Sequence, residues 1–511
     1  MKPLRLSVLS LAVASAVSPA AASAASTQQL ENELQDLKDK VKQLEGALNE
    51  TKAAAAQPAP VNSELEQKVK VLERKQELAE EEAAKKKKEN PTFKLSEKGA
   101  SFKSADGDFE LKLRGYLQAD TRFWLDDDSQ NVTDSLLLRR VRPIFEGTVF
   151  KHIGYRIMPD FAGSSVSLQD GYAELKYFPQ ATLRAGKFKE PIGLERLQSG
   201  AELLFVERGL PTNLVPNRDF GLQLHGEFLD GAVSYAGGVF NGVPDLGSIG
   251  ASDTNDDKDF AGRIFVQPFK TVFGPLQGLG MGIAGSYGNE EGSAESPNLS
   301  SYVTQGQSRF FRYRTSSTTA NVGGTTVNVP PSLASTAVAD GNRYRYSPQA
   351  YWYWNRFGLL GEYVSSTQEV VRGANRADVT NTAWQIAGSA VLTGEDASYK
   401  GITPKRNFDP FNGSWGAFEL AARYGELEID DDAFAGATAT GAGTALANPT
   451  TAASAANSWG VGLNWYLNRN FKINLNYDQT EFDGGGGGDN FLAPEDRETE
   501  QVFLTRFQVS Y

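Results

Sequence analysis

FELKLRGYLQADTRFW, residues 109–124, alternates two kinds of side chain along one extended stretch. Phe109, Leu111, Leu113, Leu117, Ala119 and Phe123 fall on one side, and Lys112, Arg114, Tyr116, Gln118, Asp120 and Arg122 on the other, because successive residues of a β-strand point to opposite faces. A strand this long, apolar on one face and charged on the other, suits the wall of a water-filled barrel better than a dry core. The pattern recurs. Phe471, Ile473, Leu475 and Tyr477 alternate with Lys472, Asn474, Asn476 and Asp478, and Trp459, Val461, Leu463 and Trp465 alternate with Gly460, Gly462, Asn464 and Tyr466. Tyr344 and Tyr346 interleave with Arg343 and Arg345, Phe418, Leu420 and Tyr424 with Glu419 and Arg423, and the final segment sets Phe503, Thr505, Phe507, Val509 and Tyr511 against Leu504, Arg506, Gln508 and Ser510.

Half-buried antiparallel strands of soluble sandwiches alternate too. A leader-like N-terminus, the lack of cysteine and aromatics near strand ends favour the membrane reading. Lys2 and Arg5, an apolar run from Leu6 to Val17, and Ala22-Ser23-Ala24 as a small-residue cleavage site mark residues 1–24 as a secretory signal. No later stretch holds 18 consecutive apolar residues, so a membrane crossing requires closed strands whose backbone groups bond each other. Without cysteine there is no thiolate chemistry, and the two histidines, His152 and His225, sit in no metal or triad spacing. We therefore expect no enzyme, no cofactor and no metal. Asp253, Asn255, Asp257 and Asp259 alternate as calcium ligands do, but Lys258 stands where a helix-loop-helix calcium loop needs glycine, so the stretch reads as a polar turn.

Between leader and barrel, Leu30, Leu34, Leu37, Val41, Leu44 and Leu48 recur at spacings of four and three, the seam of a coiled coil over residues 25–52 that should oligomerise. Pro58 and Pro60 break this pattern within a linker, residues 53–62. Ser63 and Glu66 form a capping box for a second helix over residues 63–90. Lys85 to Lys88 read as a solvated helix end, not a nucleic-acid patch, because Glu80, Glu81, Glu82 and Glu89 flank them. Residues 91–511 allow about 26 residues per strand and connection if sixteen strands close. The fold expected is an all-β transmembrane barrel of about 16 antiparallel strands with an N-terminal α-helical coiled-coil extension. Thr315 to Gly341, Ala433 to Asn457 and Gly484 to Gly488 read as external loops, their low complexity a signature of disorder.

From Phe109 onward the chain resembles the phosphate-selective porins O and P. The matching blocks are FELKLRGYLQAD at 109–120, LLRRVRP at 137–143, LQDGYAELKY at 168–177, LRAGKFKEPIGLE at 183–195, FVERGL at 205–210, LTGE at 392–395, GAFELAARY at 416–424 and WGVGLNWYLN at 459–468. No block is diagnostic alone; their order across the barrel carries the resemblance. It implies a sixteen-stranded, trimeric outer-membrane channel for phosphate or polyphosphate. It further implies that the paired arginines of the constriction are Arg139 and Arg140, that the acidic residue facing them is Asp170, and that the basic residues of the inward-folded loop are Arg196 and Arg208. Where relatives commonly present arginine on the first strand this chain has Tyr116, and where they often have aromatic or acidic neighbours it has Arg142 and Lys189.

Physics supports such a site independently. A guanidinium keeps its charge and offers phosphate a planar fork, and basic rings select anions. At about 4 Å and an effective dielectric near 20, one charge pair is worth roughly 4 kcal/mol, so throughput calls for a graded ladder, not one deep well. Lys112, Arg114, Arg122, Arg156, Arg263, Arg343, Arg345 and Arg423 are the expected further rungs. The net charge of −12 does not decide against this, because the field in a narrow passage follows the charges that line it. The sequence thus points to passive diffusion of phosphate, pyrophosphate or polyphosphate across a bacterial outer membrane, with the helices in the periplasm, lipid around the barrel, a homotrimer, and cell-wall contact through the coiled coil. A weakly selective general porin and an envelope-tethering structural protein are the alternatives.

Overall fold

The computed structural model describes residues 35–36, 38–47, 49–50, 62–125, 132–250, 256–316, 319–322 and 325–511. The secretory signal, residues 53–61 of the linker, and Asp253 and Asn255 of the polar turn lie outside the described residues, as does part of the coiled-coil segment. The chain divides into two compact units.

The first unit holds helical residues 38–47 and the 28-residue helix α1, Asn62–Glu89. Lys38 Nζ lies 3.5 Å from a Glu80 oxygen, joining the two helical stretches within one chain. Val41 and Val69 are buried, whereas Val71 and Leu78 are exposed.

The second unit is a closed barrel of sixteen antiparallel strands. In chain order they are β1 (Glu110–Leu125), β2 (Ser135–Val149), β3 (Ile153–Asp160), β4 (Ser167–Phe178), β5 (Ala181–Phe188), β6 (Asp219–Phe228), β7 (Val233–Phe240) and β8 (Asp259–Val266). They continue as β9 (Leu279–Glu291), β10 (Val338–Trp354), β11 (Phe357–Arg372), β12 (Asn375–Val391), β13 (Ala417–Glu428), β14 (Ala455–Tyr466), β15 (Phe471–Asp483) and β16 (Glu500–Ser510). Each strand pairs with its neighbours in sequence. The ring closes where β16 meets β1, with Phe507 opposite Ala119 and Arg506 opposite Asp120.

Alternation in sequence becomes inside and outside of the wall. Lys472, Asn474, Asn476 and Asp478 of β15 are buried while Val461 and Trp459 of the adjacent β14 are exposed. Gln118 and Asp120 face inward on β1, and Leu117 and Phe123 face outward. No helix among the described residues is long and apolar enough to cross a membrane; the strands supply the outward apolar surface.

Connections at one end of the barrel are mostly short turns and at the other mostly long loops, the asymmetry of outer-membrane barrels. Two short turns put bulky residues at positive φ: Phe150 and Lys151 at 49° and 61°, and Leu229 and Asp230 at 52° and 53°. Positive φ matches the twist of a tight hairpin; Leu229-Asp230 is followed by Gly231 at φ 78°, an Asp-Gly pair that favours it, whereas Phe150-Lys151 adopts it without a turn residue.

Long loops fold inward. A small hairpin, Ser301–Val303 with Arg309–Arg312, brings Tyr302, Phe310 and Phe311 into a core completed by Val364, Val379, Leu427 and Phe482 of the wall. The alanine-rich stretch expected to be disordered belongs to this core: Ala433, Ala445, Leu446, Ala447 and Ala453 are fully buried. Small side chains here let backbone approach backbone, as where Ala447 N donates to Ala433 O at 2.7 Å. The packed interior therefore lies against β7 to β15, and open space remains against β1 to β4.

Candidate functional site

The open space is a cavity of about 550 Å³ between the wall from β1 to β4 and the segment linking β5 to β6, residues 189–218. That segment is held in the bore by polar ties to the wall. Glu362 of β11 accepts the Leu194 N–H at 2.7 Å, at the start of the short helix Leu194–Leu197. Gln385 of β12 donates to both Glu195 and Glu362 at 2.9 Å, and Glu195 accepts the Gly209 N–H at 2.8 Å. On the far side, Asn476 accepts the Val206 N–H and Asn464 donates to Leu204 O, both at 2.9 Å. From the short-turn end, residues 392–416 also reach in: Tyr399 Oη donates to Leu194 O and Gln198 Nε2 to Tyr399 O, both at 2.6 Å.

Arg139 and Arg140 both reach the cavity, although neighbours on an ideal strand face opposite ways. Arg139 Nε bonds Glu207 at 2.6 Å, and Arg140 donates to Gln118 at 2.8 Å with Glu207 at 3.4 Å. Arg506 joins them, 3.2 Å from Glu207 and doubly bonded to Asp120 at 2.7 Å. The acid that meets the paired arginines is thus Glu207. Asp170, expected there, is held at 2.8 Å by Arg218 and 3.1 Å by Arg156, because its place on β4 sets it beside the neighbouring strands. Arg142 bonds Asp160 at 2.7 Å and Tyr116 Oη at 3.0 Å, so Tyr116 supports an arginine from the position where relatives place one.

Lys189, Arg196 and Arg208 differ from these. Lys189 donates to Gln198 O at 2.9 Å, Arg196 to Thr212 O at 2.9 Å, and Arg208 to Glu195 O and Gln198 O at 2.9 and 2.8 Å. All three charges bond backbone carbonyls, and among the described residues no carboxylate lies in ion-pair contact with them. Arg122 is alike, donating only to Gly306 O at 3.3 Å. These four cations all line the cavity. Burial, and then Arg208 and Arg218 nearby, hold the Lys189 ammonium well below the usual lysine range. Burial, with the same two neighbours, likewise lowers Arg196. Glu207 shows the converse: burial alone would raise it, but Arg139, Arg140 and Arg506 hold its carboxyl well below the ordinary glutamate range.

The expected ladder is brought together only in part. Arg114 pairs with Glu146 at 2.7 Å, and Arg156 reaches the same Glu146 at 3.2 Å. Arg423 pairs with Asp478 at 2.8 Å and donates to Glu207 O at 2.7 Å. Arg343 sits between Asp259 and Glu290, and Arg345 bonds Asp245 at 2.7 Å, so both are buried in a carboxylate-rich part of the wall away from the cavity. Arg263 bonds Gln349 at 3.0 Å and stacks over Phe265, and Lys112 is exposed on β1. Most rungs therefore carry their own counter-charge. Glu207, Arg218 and Arg506 were not nominated from sequence. Glu207 had a signal in its place beside Arg208, and Arg506 in the inward register of the last strand.

Among the described residues no three His, Asp or Glu side chains are arranged to hold a metal ion. Asp257 accepts from Asn289 and Asp259 pairs with Arg343, and His152 stacks on Tyr177.

The chain is 24% identical to Porin O of Pseudomonas aeruginosa over 424 residues, 77% of this chain and 90% of that one. Among solved structures it resembles the outer membrane channel DcaP of Acinetobacter baumannii at 11% identity and TM-score 0.47, covering 80% of this chain and 99% of that one. It also resembles an anion-selective porin from Comamonas acidovorans at 11% identity and TM-score 0.44, covering 78% and 99%. The family model for phosphate-selective porin O and P matches residues 109–511, the whole of the barrel. The chain therefore belongs to the phosphate-selective porin O and P family and is an outer-membrane anion porin.

Proposed function

We propose that the cavity beside β1 to β4 is the eyelet of a channel passing phosphate and related anions. The observation that carries this reading is the set of four cations, Arg122, Lys189, Arg196 and Arg208, which line one cavity and bond only carbonyl oxygens. Carbonyl acceptors orient a cationic group without cancelling its charge, so a net positive potential faces the water. A phosphate entering there exchanges hydration for several charge-assisted contacts. The ion-paired arginines around them add polar surface and shape with little field, which keeps the site shallow enough for release.

Orthophosphate, pyrophosphate and short polyphosphate share the chemistry this site recognises. A second space of about 990 Å³ shares Arg122, Val303 and Gln307 with the eyelet and adds Arg309, Arg312 and Arg497, which favours anions longer than orthophosphate. We further propose a homotrimer in outer-membrane lipid, with the N-terminal helices in the periplasm and in contact with the cell wall.

Single-channel recording in planar bilayers tests the reading. Phosphate should reduce chloride current through the wild type at submolar concentration, and reversal potentials should favour anions over potassium. Equal passage of potassium and chloride with no phosphate block selects the general porin instead. Deleting residues 25–90 should leave conductance intact; envelope detachment in that strain would mark the helices as a tether.

A further inference from the structure

We infer that Glu207 is the counter-charge that sets how long an anion dwells in the eyelet, a throughput determinant as well as a tie for the segment that carries it. The inference rests on the anion-channel reading above.

Glu207 is 3% exposed and yet lines the cavity. Its two oxygens face three guanidiniums: Arg139 at 2.6 Å, Arg506 at 3.2 Å and Arg140 at 3.4 Å. Asp120 is the one other acid in this knot, and it is taken by Arg506 alone. Three positive groups thus share two negative ones. Arg139 has no other carboxylate partner among the described residues, and it is the most exposed of the three, so the charge that Glu207 cancels is the one nearest the water. Next along the chain is Arg208, whose charge is not cancelled. One residue therefore damps the paired arginines while its neighbour presents full charge, and the eyelet gains a step in potential instead of a single well. Without that damping, Arg139 and Arg140 would join Arg122 and Arg208 as free cations around one small cavity. An anion would then bind tighter and leave more slowly.

A strut and a counter-charge predict opposite signs. Loss of a strut loosens residues 189–218, widens the eyelet and weakens anion binding. Loss of a counter-charge tightens it. Chloride current titrated with inorganic phosphate should show half-block of Glu207→Gln at a concentration about tenfold lower than wild type, with reduced current in pure phosphate. Glu207→Asp should stay near wild type, and Glu207→Gln with Arg139→Gln should return toward it. Asp120→Asn keeps the Glu207 contacts and removes the same unit of negative charge, so it should shift the block in the same direction as Glu207→Gln and serves if the latter fails to insert. Higher conductance with weaker or unchanged phosphate block in Glu207→Gln, or no shift in Asp120→Asn, overturns the inference. A wild type that phosphate does not block at all overturns the anion-channel reading itself.

Discussion

Replacing Arg122 by glutamine removes one of the uncancelled charges with the least collateral change. Its guanidinium hangs from β1, makes one hydrogen bond, to Gly306 O at 3.3 Å, and leaves its Nε without a partner. No carboxylate is stranded by its loss, so folding stability should move by less than about 1 kcal/mol. Its effect on a bound anion is larger. Two unit charges about 4 Å apart interact by about 1 kcal/mol in bulk water and about 4 kcal/mol at an effective dielectric of 20. The eyelet lies between these limits, because it is wet but walled by protein. A loss of about 1.5 to 2.5 kcal/mol corresponds to phosphate binding weaker by roughly ten- to seventyfold. The assay is phosphate block of chloride current at low ionic strength, repeated at high salt, where the difference should shrink. Arg114→Gln is the control: its charge already belongs to Glu146 at 2.7 Å. If the Arg122 and Arg114 variants weaken block equally, carboxylate pairing does not determine which arginines act on the anion, and the reasoning fails.

Other outcomes follow from the same contacts. Arg423→Gln leaves Asp478 buried without its partner, and breaking such a pair costs about 3 to 5 kcal/mol; thermal unfolding in detergent should fall clearly, while Arg122→Gln leaves it unchanged. Gly209→Ala should loosen the inward segment, because the added Cβ would sit 1.7 Å from Gln385 Oε1 and push out the amide that bridges Glu195 and Glu362; limited proteolysis within residues 189–218 should become faster. Lys189 is depressed by burial and by Arg208 and Arg218. The ammonium therefore loses its proton, and the eyelet a positive charge, at a pH below the ordinary lysine value of about 10.4. Block by sulfate, which does not itself titrate there, should weaken as pH rises through that range in wild type and not in Lys189→Met.

What the sequence disclosed and what it hid divide along physical lines. Strand alternation is a local property fixed by the backbone, so the inward set on β15 and the aromatic outward set on β14 could be read residue by residue. Which arginine keeps its charge is not local. Arg506 and Asp120 are 386 positions apart and meet only because the last strand closes on the first. Asp170 is the acid that the family resemblance implies and Glu207 sits beside Arg208 in sequence, but only the three-dimensional path of residues 189–218 decides which acid meets Arg139 and Arg140. Turn chemistry is uneven: Leu229-Asp230-Gly231 carries an Asp-Gly pair suited to positive φ, whereas Phe150-Lys151 carries none of the usual turn residues, and wall pairing holds it in a conformation that local preference disfavours.

The alanine-rich connection between β13 and β14 has a consequence for how the cell surface is seen. Ala433 on one arm and Ala445, Leu446, Ala447, Ala452 and Ala453 on the other are sealed inside, and exposure concentrates at Asp431, Asp432 and the tip over residues 435–444, with Thr451 exposed on the second arm. An antibody or phage receptor-binding protein approaching from outside would find that tip and little else of a stretch that composition alone would nominate as an accessible epitope. Peptides copied from the arms would raise sera that recognise the denatured chain and pass over intact cells.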